Sequence, residues 1–150
     1  MAKDLIVKAS VEINAPAWRV WEVLTKPEYT KKYMFGCSAE SDWKEGSALN
    51  WRGNINGKDT IVVKGTITEI EPGKYLAYTT FDPNMGLEDT PANYLTVTET
   101  LTENNGKTTL AVTQGNFNHV QESERRYTDC IKGWEMVLPI IKHTAEEHMS

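Results

Sequence analysis

The stretch that most limits what this chain can fold into runs from Tyr127 to Ala145, where Tyr127, Ile131, Trp134, Leu138, Ile141 and Ala145 recur at three- and four-residue spacing. That spacing places all of them on one face of a long amphipathic helix. Ahead of it, from Cys37 to Phe117, apolar and polar residues alternate in short runs separated by turn sequences, which is the texture of an antiparallel sheet. A helix with one apolar stripe and a sheet with one apolar face are each other's natural cover. The expected architecture is therefore α+β, with a sheet wrapped against its closing helix and a cavity between them. Such a chain is built to hold or mask something apolar.

The first part of the chain fits this arrangement. Val7, Ala9, Val11 and Ile13 alternate with Lys8, Ser10, Glu12 and Asn14, so a half-buried strand is expected over residues 5 to 14. Pro16 suits a first helical turn, and Val20, Trp21 and Leu24 share a face, which predicts a helix over 16 to 25. Lys26-Pro27 breaks it, and a short second helix from Glu28 to Met34 is expected to end at Gly36. Between Cys37 and Phe117, the turns at Glu45-Gly46, Asn54 to Gly57, Glu71-Pro72-Gly73, Asp82 to Pro91 and Asn104 to Gly106 delimit five or six strands. Leu49 and Trp51 share one face and Ile61, Val63 and Ile67 another, and the phase slips by Ile70, the mark of a bulge.

The turn at Asn104-Asn105-Gly106 allows register to be assigned from sequence. A two-residue or four-residue loop sets Leu101 opposite Leu110, Glu99 opposite Val112 and Val97 opposite Gln114. A three-residue loop would split the apolar sets between two faces, so the pattern disfavours it. Glu99 then shares the apolar face with Leu95, Val97, Leu101, Leu110 and Val112, with Gln114 as its diagonal neighbour. A carboxylate on a core face is costly unless it is paired, hydrogen-bonded or neutralised. A cavity that holds water is one account of it; an open sheet end or a bulge that returns Glu99 to solvent is the other. In a cavity, desolvation would raise the Glu99 pKa and allow acid or base chemistry, but one carboxylate without a positioned partner does not define a catalytic residue.

Composition excludes several functions. A chain of 150 residues that is 39% hydrophobic suits one domain with a sizeable core. Its net charge of -5, with no run of lysine or arginine, argues against nucleic acid as a partner. No apolar run reaches the length of a membrane span, and Met1-Ala2-Lys3-Asp4 does not resemble a signal peptide, so a cytoplasmic location is expected. Cys37 and Cys130 are far apart and outside any CxxC pattern, which predicts two reduced thiols. His143, Glu147 and His148 lack a metal-binding pattern, His119 has no nucleophile placed beside it by a motif, and Gly53, Gly57 and Gly65 form no phosphate loop. Neither a metal nor another cofactor is expected.

The order of motifs carries a family resemblance. The run Ala15-Pro16-Ala17-Trp18-Arg19-Val20-Trp21, then Trp43 to Ser47, Gly65 to Leu76, Thr108-Thr109-Leu110 and Gly133-Trp134 resembles the SRPBCC superfamily, also called START-like or birch-pollen-allergen-like. Within it, the pattern resembles the branch related to the activator of the heat-shock-protein ATPase, and the likeness runs from about Leu5 to His148. The resemblance implies a helix-grip fold: six or seven curved antiparallel strands around a long C-terminal helix, with two short helices after the first strand. It also implies binding of lipids or other apolar ligands, co-chaperone activity, or in a few members catalysis. Thr80 stands where an aromatic is frequent and Gln114 where histidine is common. The eukaryotic co-chaperone has a separate chaperone-binding domain outside the residues matched here, so the resemblance speaks more for architecture than for ATPase activation.

Carried onto this chain, the resemblance makes Tyr33, Trp51, Tyr78, Glu99, Gln114, Tyr127 and Trp134 the candidate cavity lining. The three tyrosines would bring hydroxyls able to orient a polar ligand atom. Gly133 is expected to let helix and sheet approach closely, and Pro139 to bend the last turns of the helix. The expected function is binding of a hydrophobic small molecule or lipid. The alternatives are a stress- or chaperone-associated module with a protein partner, and an enzyme that uses Glu99 as acid or base.

Overall fold

The structure is a computed structural model that describes residues 5–34, 36–84, 86–120 and 123–147. Strand β1 (Val7–Ile13) leads into α1 (Ala17–Thr25), whose N-cap is Pro16 in an extended conformation. The helix thus begins one residue later than the sequence suggests, because Pro16 precedes the first turn instead of joining it. Pro27 occupies the first position of α2 (Pro27–Tyr33), and the chain reverses through Gly36 at φ +86°. Six strands follow: β2 (Ser38–Ser41), β3 (Ala48–Ile55), β4 (Lys58–Glu71), β5 (Tyr75–Thr80), β6 (Leu95–Asn104) and β7 (Lys107–Gly115). The chain then closes with α3 (Ser123–Glu146).

The seven strands form one antiparallel sheet in the order β1-β7-β6-β5-β4-β3-β2. This is the expected helix-grip α+β fold. Two-residue turns join β3 to β4 and β6 to β7, with Asn56 and Gly57, and Asn105 and Gly106, all at positive φ. Asparagine and glycine tolerate that conformation, and its twist matches that of the strands it joins. The hairpin register is the one the sequence implies: Leu101 opposite Leu110, Glu99 opposite Val112 and Val97 opposite Gln114.

The phase slip in β4 has two sources. The pairing shifts between Trp51 and Arg52 on β3, where Val63 gives way to Ile61 on β4. It shifts again between Ile67 and Glu69, against Tyr78 and Ala77 of β5. Bulges of this kind bend a strand and increase its twist. Between them lies Gly65, where an added Cβ would stand 1.6 Å from the carbonyl oxygen of Thr79. The two backbones touch there because no side chain intervenes. On its far side the ladder resumes with Lys64 and Phe81 exchanging both backbone hydrogen bonds at 2.9 and 2.8 Å.

The buried core lies between the sheet and α3, and it joins Val20, Val23 and Leu24 of α1 to Leu138, Ile141 and Ala145. Arg19 is 5% exposed and ties the helix down: its Nε donates to the carbonyl of Ala145 at 3.2 Å and its Nη2 to that of Thr144 at 3.1 Å. Carbonyls of a last helical turn have no partner within the helix, so a buried guanidinium both satisfies them and complements the negative end of the dipole. Glu146 adds a bond from the backbone N–H of Asn14 at 2.8 Å. Helix α3 continues through Pro139 as one element. No helix among the described residues is long and apolar enough to cross a membrane.

Gly65→Ala is expected to destabilise the fold by on the order of 3 kcal/mol or more, because the methyl group meets backbone instead of a movable side chain. Urea unfolding followed by circular dichroism measures this; a loss below ~1 kcal/mol would show that the contact yields easily.

Candidate functional site

The site is built on two cross-strand rows of the sheet face beneath α3. One row runs Tyr78, Val97, Gln114 across β5, β6 and β7, and the next runs Leu76, Glu99, Val112. Alternation along β6 buries Leu95, Val97, Glu99 and Leu101 together, and Glu99 is 4% exposed. The carboxyl is thus part of the core face and does not return to solvent at a sheet end. Helix α3 meets this face through Trp134, whose Nε1 donates to Oε1 of Gln114 at 2.8 Å.

Beneath that bond lies a pocket of about 270 Å³, with Tyr33, Trp51, Tyr78, Glu99, Gln114 and Trp134 on its wall. Six of the seven candidate residues are therefore brought together. The seventh, Tyr127, packs edge-on against Phe117 at 5.6 Å between ring centroids and is not on this wall. It belongs to a separate cluster with Val7, Leu95, Phe117 and Val120. A second pocket of about 180 Å³ shares Val63, Thr80, Gln114, Asp129 and Cys130 with the first and is bordered by Arg126. The two spaces adjoin across Gln114.

The polar groups of the first pocket are mostly engaged. Tyr33 donates its hydroxyl to the carbonyl of Leu24 at 3.0 Å, and its ring meets Trp51 at 6.3 Å in an edge arrangement. Tyr78 donates to Oε1 of Glu99 at 3.0 Å. The tyrosine hydroxyls at positions 33 and 78 thus satisfy protein acceptors, which the sequence does not reveal. Oε2 of Glu99, by contrast, is buried and accepts no hydrogen bond from the described residues. Burial pushes the Glu99 pKa up to about 7, and the Tyr78 hydrogen bond opposes this in part. Burial also lifts both tyrosines well above their usual range.

Helix α3 supplies wall residues that its main stripe does not contain. Cys130, Gly133 and Val137 line the pocket beside Trp134. Their spacing of three and four puts them on one helical face, turned slightly from the face read through Ile131 and Leu138, and that offset was available as a signal. Gly133 corrects its sequence-based reading: a Cβ there would meet nothing within 4 Å. Its missing side chain leaves space in the pocket instead of drawing helix and sheet together. Cys130 has its thiol pushed up to about 11, chiefly by burial, and so stays protonated at neutral pH. Both cysteines are free. Among the described residues no cluster of three histidine, cysteine or acidic side chains is placed to hold a metal ion. His148 and the side chain of His119 lie outside the described residues.

Glu99 has a consequence for stability. Its folded pKa of about 7 exceeds the ordinary value of 4.5, so the native state retains a proton that the unfolded chain releases between those two pH values. Stability should therefore fall as pH rises through this window, by on the order of 3 kcal/mol at most, and Glu99→Gln should remove that dependence. Unfolding free energies at pH 5 and pH 8 measure the contrast: the variant is expected to gain on the wild type at pH 8, and parallel profiles would show an unperturbed carboxyl.

Comparison with known proteins gives a consistent picture. The family described as Activator of Hsp90 ATPase homolog 1-like protein matches residues 14–146. The solution structure of a protein from Cytophaga hutchinsonii is 38% identical, with a TM-score of 0.79 over 99% of both chains. CalU16 from Micromonospora echinospora is 22% identical, with a TM-score of 0.69 over 92% of this chain and 72% of its own. The Aha1 dimer from Colwellia psychrerythraea is 16% identical, with a TM-score of 0.71 over 94% of this chain and 96% of its own. At those last two identities the likeness concerns the fold alone. No curated protein is significantly similar.

Proposed function

The chain belongs to the Activator of Hsp90 ATPase homolog 1-like family, and from that premise we propose that it binds a small apolar or amphipathic molecule, such as a lipid, between α3 and the sheet. The observation that carries this reading is a half-open, largely apolar pocket beside a well-filled core. Leu110, Ile141 and Ile67 nearby are fully buried, yet about 270 Å³ remains among aromatic and aliphatic side chains. A dry apolar cavity of ~150 Å³ suffices for benzene, so a two-ring molecule or a short alkyl chain is the appropriate size. Apolar wall left facing water costs stability, because it forgoes burial and the packing contacts that go with it. A ligand restores those contacts.

Gly133 is the position at which to test it. Leucine there places a side chain where glycine leaves space, and it is also the better helix former by up to about 1 kcal/mol. In an NMR titration with 2-naphthol and with decanol, wild-type protein is expected to shift resonances of Val97, Trp134 and Val137. Gly133→Leu should stay folded and lose the response. Equal shifts in both proteins, or shifts confined to the outer surface, would refute the pocket as the binding site.

A second reading, contact with a chaperone or another protein, draws support from the family description and from large apolar side chains left in solvent, Trp18 at 59% and Met136 at 57%. Under that reading Gly133→Leu is silent in a pull-down and Trp18→Ala is not.

A further inference from the structure

Resting on the binding reading above, we infer that the ligand carries a hydroxyl group, which docks on the free oxygen of Glu99 while its apolar body lies along the aromatic wall. The starting point is an unmatched acceptor. Glu99 lines the pocket, and its Oε2 is buried without a protein donor among the described residues; leaving such an atom unpaired costs about 1–3 kcal/mol. Three donors of the wall are already engaged: Tyr78 serves Oε1, Tyr33 serves the Leu24 carbonyl and the Trp134 indole serves Gln114. None of the described residues donates to Oε2, so a donor from outside the chain would complete it.

Water alone is an incomplete match. It can bond Oε2, but the cross-strand neighbours of Glu99 are Leu76 and Val112, and the same face of β6 continues as Val97 and Leu101. These side chains offer only carbon, which water does not satisfy. A molecule that brings a donor on an apolar body satisfies the oxygen and the surrounding wall together.

The choice of hydroxyl over other polar groups follows from the state of the carboxyl. Near neutral pH Glu99 is divided between the anion, which only accepts, and the acid, which also donates. A hydroxyl both donates and accepts, so it matches either form. An ether or ketone pairs with the acid alone. An ammonium finds its counter-charge in the anion alone and must itself be desolvated, at a cost that a buried ion pair rarely recovers in full. The hydroxyl is the neutral donor and acceptor of the three, matched to Glu99 in both of its states.

The test uses three probes that share one ring system: 2-naphthol, 2-methoxynaphthalene and naphthalene. Dissociation constants are measured at pH 7 by NMR titration, with the carboxyl carbon of Glu99 as a second readout. The expected result is about tenfold or tighter binding of 2-naphthol over its methyl ether, with a shift of the Glu99 carboxyl carbon that naphthalene does not produce. In Glu99→Leu combined with Tyr78→Phe, which removes both ends of the Tyr78 hydrogen bond, the preference should fall to within about twofold. Should that variant not fold, the wild-type ranking and the carboxyl shift decide the matter alone. Equal affinity for the three probes, or a preference that survives loss of Glu99, overturns the hydroxyl assignment and leaves the pocket reading standing. Binding of none of them overturns both.

Discussion

Helix α3 is fastened at one end and propped in the middle, and the site depends on both attachments. At its C-terminus the buried guanidinium of Arg19 takes the carbonyls of Thr144 and Ala145. Midway, Trp134 reaches down to Gln114 on β7. Between these points Leu138 and Ile141 are buried against the sheet, whereas Trp134 is only partly buried. The end of the helix is therefore packed into the core, and at its middle the indole reaches the sheet face beside the pocket. A bridging hydrogen bond holds two surfaces at a defined separation, and apolar packing alone would tend to close it.

Beneath that bridge the protein tolerates a group that core packing would reject. Glu99 lies between Leu76 and Val112 with a single hydrogen bond from Tyr78. An apolar residue at this position would give a more stable sheet, since uncompensated burial of an ionisable group is among the larger penalties a fold can carry. Strained or underpaired groups of this sort cluster at functional sites, where a ligand supplies what the fold omits. Gly133 has the same character: a helix interior favours alanine or leucine, yet glycine keeps the pocket wall open.

Much of this was legible from residue order. The alternation along β6 and the Asn-Gly turn after it determine which side chains share a face, and they put Glu99 and Gln114 on the core side. The β4 bulge was visible as a break in phase. What stayed hidden was which polar groups find each other. Arg19 reads as one more charge on a short helix, and only the approach of α1 to the end of α3 makes it a cap. Tyr127 falls on the apolar stripe of α3, but the stripe is long enough to serve two clusters, and Tyr127 packs against Phe117 instead of facing the pocket.

By itself, then, the sequence determined the class of fold, the strand register around β6 and the presence of an acid on the apolar face, because these follow from periodicity and turn chemistry, which act over a few residues. Tertiary structure alone decided that Gly133 opens space instead of closing it, that Tyr78 meets only one oxygen of Glu99, and that a pocket survives between sheet and helix. Those outcomes depend on distances between elements far apart in the chain, set by the Arg19 cap and the Trp134 bridge, and periodicity along one element carries no information about them.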